Sequence, residues 1–357
     1  MHLSNEAKSQ ASQDARAIPS IDLRAFLVGT LEEQQTIAAR VDDICKSIGF
    51  LIIENHGVPN DVIDGAWSTA SIFFDLPIEE KIKSKSPDPG CPRGYFPMAA
   101  EALAKSLGVE TPPDIKESFG IGPLRAPPYD IGAEEFGFHY GENLWPTVPA
   151  NLRGELTRYF NAMNALGSQV LRLFAAALEL PHDFFERFHT HPMCALRCIN
   201  YPASDETLLP GQKGAGEHSD YGSITLLKSD PNVPGLEIKL PSGQWAKAPL
   251  VKDAFIVNIG DMMARWTNDR WVSTLHRVVQ PRAAESGAIR RQSMAFFHNT
   301  NFDAQIECIP TCLNSGEEPK YGPVLAGQYL IERFNSAMNK ESNSTTAGSH
   351  VDYSRRG

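Results

Sequence analysis

The chain has 357 residues and a formal net charge of −10, and 42% of its residues are hydrophobic. This length and composition are typical of one large globular domain or two ordinary ones, and they exclude a fibrous or wholly disordered chain. An acidic surface gains nothing from a polyanion, so neither nucleic acid nor an anionic membrane is expected as a partner. Residues 1–17 lack the apolar centre of a signal peptide, and no apolar run approaches membrane-spanning length, so a cytoplasmic location is predicted.

The amino-terminal part alternates β-prone and helical segments. A short strand is predicted over 17–23, and Thr30 with Glu33 forms a capping-box pattern that opens a helix toward Ser47. A compact β-prone run follows at 50–55, and helical periodicity returns over 61–74.

The segment 85–146 is rich in proline and glycine and has only weak periodicity. We predict irregular, loop-dominated structure there. In a folded enzyme a loop segment of this length usually covers a binding or active site. Parts of it are therefore candidates for a substrate-covering lid, with plain surface loop as an equal alternative.

The carboxy-terminal half begins with a helix and continues with strands. Apolar residues three or four apart over 152–178 predict a long amphipathic helix that packs on the core. Beyond residue 195 the pattern changes to short β-prone segments, at 196–201, 223–228, 236–240, 254–259 and 293–298. Such spacing is typical of an antiparallel sandwich or barrel. The predicted fold class is α+β, with a jelly roll in the carboxy-terminal half.

Two histidines and one aspartate form a candidate metal site. His218 and Asp220 lie two residues apart, so on a strand their side chains share a face. A second β-like segment could bring the imidazole of His276 to the same point. Two imidazoles and one carboxylate leave three positions of an octahedral Fe(II) open for co-substrate and O2. Each histidine alone would more often be structural, so the hypothesis depends on the combination.

Arg291 and Ser293 form a second candidate site after His276. On a strand they too share a face. A guanidinium can bind the distal carboxylate of 2-oxoglutarate through two hydrogen bonds, while the serine hydroxyl donates a third. Without the preceding metal triad, a surface salt bridge would be the better interpretation of this arginine.

Together these motifs resemble the isopenicillin N synthase-like family of 2-oxoglutarate- and Fe(II)-dependent dioxygenases. The resemblance extends nearly end to end. Its most specific parts are His218-x-Asp220, His276 and Arg291-x-Ser293, and its amino-terminal landmarks are the segments 18–23, 49–57, 73–81 and 93–95.

The resemblance implies a distorted double-stranded β-helix, a jelly-roll core braced by helices, with Fe(II), 2-oxoglutarate and O2 as cofactor and co-substrates. The segment Asn200-Tyr201-Pro202 resembles the part of the family that contacts the metal-binding end of 2-oxoglutarate. The resemblance therefore implies that Tyr201 binds the metal-binding end of 2-oxoglutarate and that Asn200 assists it. The implied division of the chain is a flexible amino terminus (1–17), an amino-terminal α/β region with the lid candidates (18–150), the catalytic core (151–335) and a polar tail (336–357).

Within the family, the chain also resembles fungal thymine hydroxylases. Arg197, Tyr221 and Phe297 match positions that hold the pyrimidine there. Two aromatic faces and one donor suit any flat polar ring, although both aromatic residues could equally be core. The expected function is hydroxylation or other oxidation of a C–H bond of a small aromatic or heterocyclic metabolite in specialised metabolism, with succinate and CO2 as co-products. Thymine-type nucleobase oxidation is the alternative, and no catalytic residue is expected beyond the metal centre.

Three further alternatives stay open at the level of the sequence. A zinc hydrolase can use the same metal ligands but has no task for the Arg-x-Ser pair. A non-catalytic jelly-roll sensor has no need of open metal positions. A 2-oxoglutarate-independent iron oxidase would use the pair for a substrate carboxylate. The sequence does not decide the oligomeric state.

Overall fold

The computed structural model describes residues 18–88, 90–203, 209–280 and 289–337. The predicted flexible amino terminus, 1–17, lies outside the described residues, as does the predicted tail from 338 onward. The helices are α1 (Leu23–Val28), α2 (Leu31–Ser47), α3 (Asn60–Phe74), α4 (Ile78–Lys81), α5 (Ala133–Tyr140), α6 (Leu152–Ala177), α7 (Asp261–Trp266) and α8 (Ala326–Ala337). Short 3-10 helices occur at Ile82–Ser84, Leu103–Leu107, Glu186–Phe188 and Pro310–Cys312.

The strands form two main sheets and one small one. They are β1 (Ser20–Asp22), β2 (Phe50–Glu54), β3 (Gly94–Phe96), β4 (Glu117–Ile121), β5 (Ala195–Tyr201), β6 (Ala215–His218), β7 (Ile224–Ser229), β8 (Leu236–Lys239), β9 (Trp245–Lys247), β10 (Phe255–Ile259), β11 (His276–Val278), β12 (Arg291–His298), β13 (Gln305–Ile306) and β14 (Val324–Leu325). An eight-stranded sheet has the order β1-β2-β10-β7-β12-β5-β4-β3, and a four-stranded sheet has the order β6-β11-β8-β9. The strands β13 and β14 pair with each other.

Two hydrophobic clusters hold the helices and the two main sheets together as layers. One unites helices α2, α3 and α6 with the large sheet, and Leu173 and Phe174 of α6 are fully buried in it. The other lies between the two main sheets and joins Ile256 of the large sheet to Ile238 of the small one. The result is a helical layer on one side of the large sheet and the small sheet on the other, the predicted α+β class with its jelly-roll core.

The amino-terminal helix prediction is confirmed in its details. The Thr30 hydroxyl accepts from the Glu33 backbone N–H at 3.3 Å, and the Glu33 carboxylate accepts from the Thr30 backbone N–H at 2.7 Å. This reciprocal pair satisfies donors that the first turn of a helix leaves free. Helix α6 also follows the prediction, with its apolar stripe buried along its length.

The prediction of loop-dominated structure over 85–146 is partly wrong. The structure places β3, β4 and α5 in this segment, and every residue of β4 is buried. Strand β4 pairs with β5 through five residues and extends the large sheet. Its sequence, Glu-Ser-Phe-Gly-Ile, is not typical of a buried strand, because it contains a charged residue and a glycine. Burial of Glu117 is tolerated because it forms an ion pair with Lys81, which is distant in sequence.

In the described ranges no helix is both long and apolar enough to cross a membrane.

Candidate metal centre and adjoining cavity

The pairing of β6 with β11 brings the metal triad together. His218 ends β6, His276 begins β11, and the two residues are antiparallel partners in register. Asp220 follows two residues after His218. One ligand atom from each of the three side chains lies within 4.8 Å of the other two, and His276 Nε2 is 3.7 Å from Asp220 Oδ1. Two segments distant in sequence, the end of β6 and the start of β11, thus offer two nitrogens and one oxygen to one point.

Hydrogen bonds fix which atom each side chain can offer. His218 Nδ1 lies 2.7 Å from the Gly216 carbonyl oxygen, and His276 Nδ1 lies 3.1 Å from that of Thr274. Because a carbonyl only accepts, we assign the proton to Nδ1 in both rings, which leaves both Nε2 lone pairs free. This tautomer makes Nε2 the atom that is available to a metal in both residues.

The carboxylate of Asp220 is oriented in the same way. Its Oδ2 atom accepts from the Thr225 hydroxyl at 2.6 Å and from the Asn258 amide at 2.8 Å. Oδ1 is the atom that faces His276. Such partners hold a ligand carboxylate in one direction before the metal arrives.

The electrostatics of the triad favour a cation. Desolvation, reinforced by the neighbouring His276, lowers the pKa of His218 to about 3, so its imidazole is neutral at neutral pH. Burial alone would raise the pKa of Asp220, but the two histidines and the Asn258 and Thr225 hydrogen bonds outweigh it and lower that pKa. Neutral imidazoles and an ionised carboxylate are the forms that bind divalent metals.

The triad opens into a cavity of about 270 Å³ between the two main sheets. Leu227 of the large sheet and Leu236 and Val278 of the small sheet line it, together with Tyr201, Arg291 and Ser293. The cavity wall is therefore largely apolar, with a few polar groups directed into it.

Arg291 is the notable polar group of this wall. It is only 1% exposed, and its Nη2 atom donates to the Ser229 hydroxyl at 3.0 Å. Its Nε and Nη1 atoms are buried and have no hydrogen-bond partner among the described residues. The guanidinium lies 5.0 Å from the centre of the Tyr201 ring, and Ser293, on the same face of β12, is also buried. A buried cation with two free donors fits a ligand carboxylate such as that of 2-oxoglutarate.

Asn200 is not brought to this cavity. Side chains alternate along β5, so Asn200 lies on the opposite face from Tyr201. Its amide nitrogen donates to Glu117 at 2.8 Å, and its amide oxygen accepts from Arg290 at 2.6 Å. Both groups are engaged in the structure of the sheet, so the expectation that Asn200 assists in holding 2-oxoglutarate is corrected.

The three residues expected at the substrate do line the cavity. Arg197 donates to Glu101 at 2.6 Å, and its guanidinium lies 4.4 Å from the centre of the Phe96 ring. Tyr221 and Phe297 are partly buried in the same wall. The structure thus brings the metal triad, Arg291 with Ser293 and Tyr201, and the three substrate candidates to one cavity.

Sequence reasoning missed a group of charged residues on this wall. Glu101 lies between Arg197 and Lys116, and Lys116 also lies 3.4 Å from Asp114. Asp114 in turn accepts from the Gly216 backbone N–H at 2.9 Å, which ties this cluster to the strand that carries His218. These residues lie in the segment predicted to be loop-dominated, where the only signal was a concentration of charged residues.

Comparison with known proteins agrees with this geometry. Residues 18–148 match the family model described as non-haem dioxygenase in morphine synthesis N-terminal, and residues 190–300 match the 2OG-Fe(II) oxygenase superfamily. A homoarginine-6-hydroxylase of Oryza sativa is 32% identical over 335 residues, which cover 90% of this chain and 97% of the relative. The 2-oxoglutarate-dependent dioxygenase thnC of Trichoderma harzianum is 30% identical over 331 residues, which cover 92% of this chain and 96% of the relative.

A solved structure is similar over the same extent. The full-length Neurospora crassa enzyme in complex with alpha-KG and thymine is 32% identical, with a TM-score of 0.79, covering 89% of this chain and 96% of that one.

These similarities confirm the predicted enzyme class and its cofactor and co-substrates, Fe(II), 2-oxoglutarate and O2. They favour a dioxygenase over the zinc hydrolase, sensor and 2-oxoglutarate-independent oxidase alternatives, because the relatives are named for their dependence on 2-oxoglutarate. The chain belongs to the isopenicillin N synthase-like family of the 2OG-Fe(II) oxygenase superfamily.

Proposed function

We propose that His218, Asp220 and His276 hold the Fe(II), and that Arg291, Ser293 and Tyr201 hold 2-oxoglutarate beside it. The observation that carries this proposal is one cavity with two features. On one wall, three ligand atoms lie within 4.8 Å of one another. On another, a buried guanidinium retains two donors without a partner among the described residues.

The residues divide the work of the reaction. When bound, the iron with 2-oxoglutarate and O2 supplies the oxidising power that converts a C–H bond into an alcohol, with succinate and CO2 as co-products. The triad would hold the iron at the cavity wall and would leave positions open for 2-oxoglutarate and O2. Arg291 fixes the distal carboxylate of 2-oxoglutarate and so sets where its other end lies. The apolar wall around Leu227 and Val278 keeps water from the reacting atoms.

For the substrate we propose a small flat aromatic or heterocyclic metabolite of specialised metabolism. Tyr221 and Phe297 offer two aromatic surfaces on the cavity wall, and Arg197 offers a donor. Stacking on aromatic faces tolerates many rings, so these residues define a pocket type. A cytoplasmic location and the absence of nucleic-acid and membrane partners stay predictions from the sequence.

Oxidation of a nucleobase is the second candidate. The similar Neurospora crassa structure was solved with thymine. In this chain Arg197, Tyr221 and Phe297, which match the pyrimidine-binding positions of that family, line the cavity beside the metal triad. Succinate release in the presence of thymine or uracil would support it. Turnover with aromatic metabolites but with neither base would contradict it.

The proposed iron site predicts the effect of removing one ligand. We expect Asp220→Ala and His276→Ala to lose iron and 2-oxoglutarate-dependent O2 uptake, because two ligands no longer retain the metal. Asp220→Ala also removes the negative charge that offsets the charge of the metal. Iron content after gel filtration and succinate release measure the two effects.

The matched control is His191→Ala, which removes an imidazole that belongs to neither the triad nor the cavity wall. Full iron content and activity in either triad variant would contradict the assignment.

A further inference from the structure

We propose that the substrate carries one carboxylate, and that Arg93 binds it at the end of the cavity where Arg197 lies. This inference rests on the proposed function, because it names the chemical class of the molecule that the same cavity oxidises. It concerns an arginine in one of the segments that resemble the family, to which the iron and 2-oxoglutarate assignments give no role.

The sheet register places Arg93 at the same end of the cavity as Arg197. Gly94 pairs with Gly120 across β3 and β4, and Gly120 pairs with Arg197 across β4 and β5. Arg93, immediately before Gly94, therefore lies two strands from Arg197, and both side chains line the cavity.

This end is distinct from the 2-oxoglutarate end. Tyr201, the register partner of Arg291, is four positions along β5 from Arg197. Four strand residues span roughly 13 Å.

Arg93 is a buried cation without a carboxylate partner in the described part of the chain. It is 2% exposed, and its Nη2 atom donates to the His139 carbonyl oxygen at 2.5 Å. Its Nη1 atom has only a 3.4 Å contact with the Pro92 carbonyl oxygen, and its Nε has no hydrogen-bond partner within the described residues. A purely structural role, anchoring the end of α5 through His139, accounts for Nη2 alone.

Burial of an unpaired charge is strongly unfavourable, so such a group normally has a partner. Burial lowers the pKa of Arg93 to about 10, and the nearby charge of Arg197 acts in the same direction. The guanidinium nevertheless stays protonated at neutral pH. A ligand carboxylate would supply both the missing charge and acceptors for the unused donors.

The charges at this end of the cavity leave room for one anion. Among the described residues, three cations lie here, and two carboxylates oppose them. Glu101 is shared by Arg197 at 2.6 Å and Lys116 at 3.3 Å, and Asp114 lies 3.4 Å from Lys116. Three positive and two negative side chains leave one positive charge, which belongs to Arg93.

A monocarboxylate matches this excess charge. A neutral ring would leave the guanidinium of Arg93 unpaired, and a dianionic phosphate would reverse the imbalance. Glu101 is held ionised, with its pKa lowered to about 2 because Arg197 and Lys116 outweigh the effect of burial. It therefore cannot accept a second carboxylate beside it, which directs the acid toward Arg93.

The experiment compares acids with their uncharged amides on the full chain. The protein is loaded with Fe(II) and 2-oxoglutarate without O2, so that binding is measured without turnover. The probes are benzoate and benzamide, nicotinate and nicotinamide, and indole-3-acetate and indole-3-acetamide. Tryptophan fluorescence titration gives the affinity, and thermal unfolding confirms that each variant is folded.

For the wild type we expect at least one acid to bind about tenfold or more tightly than its amide, since a charged hydrogen bond to a buried guanidinium is lost in the amide. Arg93→Gln should reduce this preference to within about twofold, and Arg93→Lys should keep part of it. Glu101→Gln should increase the preference, because it removes a competing negative charge. Arg172→Gln, at an arginine with a half-exposed side chain on α6, is the matched control and should match the wild type.

Two results would overturn the proposal: no acid preference in the wild type, or an unchanged preference in Arg93→Gln. If Arg93→Gln does not fold, Glu101→Gln decides, and an unchanged preference there also overturns it. The affinity of Arg93→Gln for 2-oxoglutarate is measured separately, in the absence of any acid or amide probe. Loss of that affinity would contradict the separation of the Arg93 end of the cavity from the 2-oxoglutarate end. Failure of the proposed function is a different result, namely no iron retention and no succinate release by the wild type.

Discussion

At the scale of single residues, the site is organised by hydrogen bonds that select one atom of each ligand. The Gly216 and Thr274 carbonyl oxygens select the tautomers of the two histidines, and Thr225 and Asn258 occupy one oxygen of Asp220. The same principle identifies Arg291 and Arg93, whose donors are not all used within the described residues.

Thr225 is predicted to be a positioning residue for iron. Thr225→Val keeps the shape of the side chain but removes the 2.6 Å hydrogen bond to Asp220. We expect iron affinity to fall by about tenfold, within the range typical for partners of metal ligands. Competition with a chelator measures the affinity. Thr36→Val, which alters an exposed threonine on α2, is the control.

A merely structural role for Thr225 would lower the thermal stability of the metal-free protein and leave iron affinity unchanged. That outcome would contradict the prediction.

At the scale of elements, the close approach between the turn after α2 and the segment that contains Val272 depends on Gly49. This residue ends the turn after α2 with a φ of +61°, in the left-handed region. A Cβ atom at this position would lie 2.0 Å from the Val272 carbonyl oxygen. Backbone conformation and space both require glycine here.

Gly49→Ala is therefore predicted to destabilise the fold by about 2 kcal/mol or more, from the left-handed strain together with the clash. Gly154→Ala is the matched control, because Gly154 is exposed within α6 and nothing lies within 4 Å of the added Cβ. It should stabilise the protein by about 0.5–1 kcal/mol. Chemical denaturation measures both, and the same sign for both substitutions would show that the argument is wrong.

At the scale of the whole molecule, histidines that are neutral at neutral pH join distant parts of the chain. His139 of α5 donates from Nε2 to the Gly327 carbonyl oxygen of α8 at 2.9 Å. His189 donates from Nδ1 to the Phe185 carbonyl oxygen at 2.8 Å and stacks on His298 with 4.9 Å between ring centres. Burial lowers the pKa of both His139 and His189 to about 4.

These histidines predict a loss of stability in mild acid. Their unfolded-state pKa is near 6.5, so between about pH 6.5 and 4 the unfolded chain binds more protons than the folded one, and stability falls as the pH falls. At pH 5.5 each histidine should reduce the free energy of unfolding by about 1 kcal/mol relative to pH 7.5. Above pH 7.5 their contribution is constant.

The test compares the pH dependence of wild type and His139→Gln by denaturant unfolding at pH 7.5 and 5.5. The variant should lose less stability between the two pH values than the wild type, whatever its stability at pH 7.5. An equal loss in both proteins would show that His139 does not carry a lowered pKa.

The sequence by itself determined the features that depend on local spacing. The capping box of α2 and the stripe of α6 were predictable because helix formation depends on residues three and four apart. The candidate ligands His218 and Asp220 were found because alternation along a strand puts both on one face. The same rule separates Asn200 from Tyr201, so that correction could also have been made from the sequence. The division of the chain between residues 150 and 151 stays a prediction.

Only the tertiary structure decided which distant groups meet. Strand β4 could not be recognised, because the partner that makes its buried Glu117 tolerable, Lys81, lies elsewhere in the chain. The charge excess at Arg93 is likewise invisible in the sequence, since it depends on which cations Glu101 and Asp114 neutralise. Strand pairing and burial set these contacts, and both involve residues that no local pattern connects.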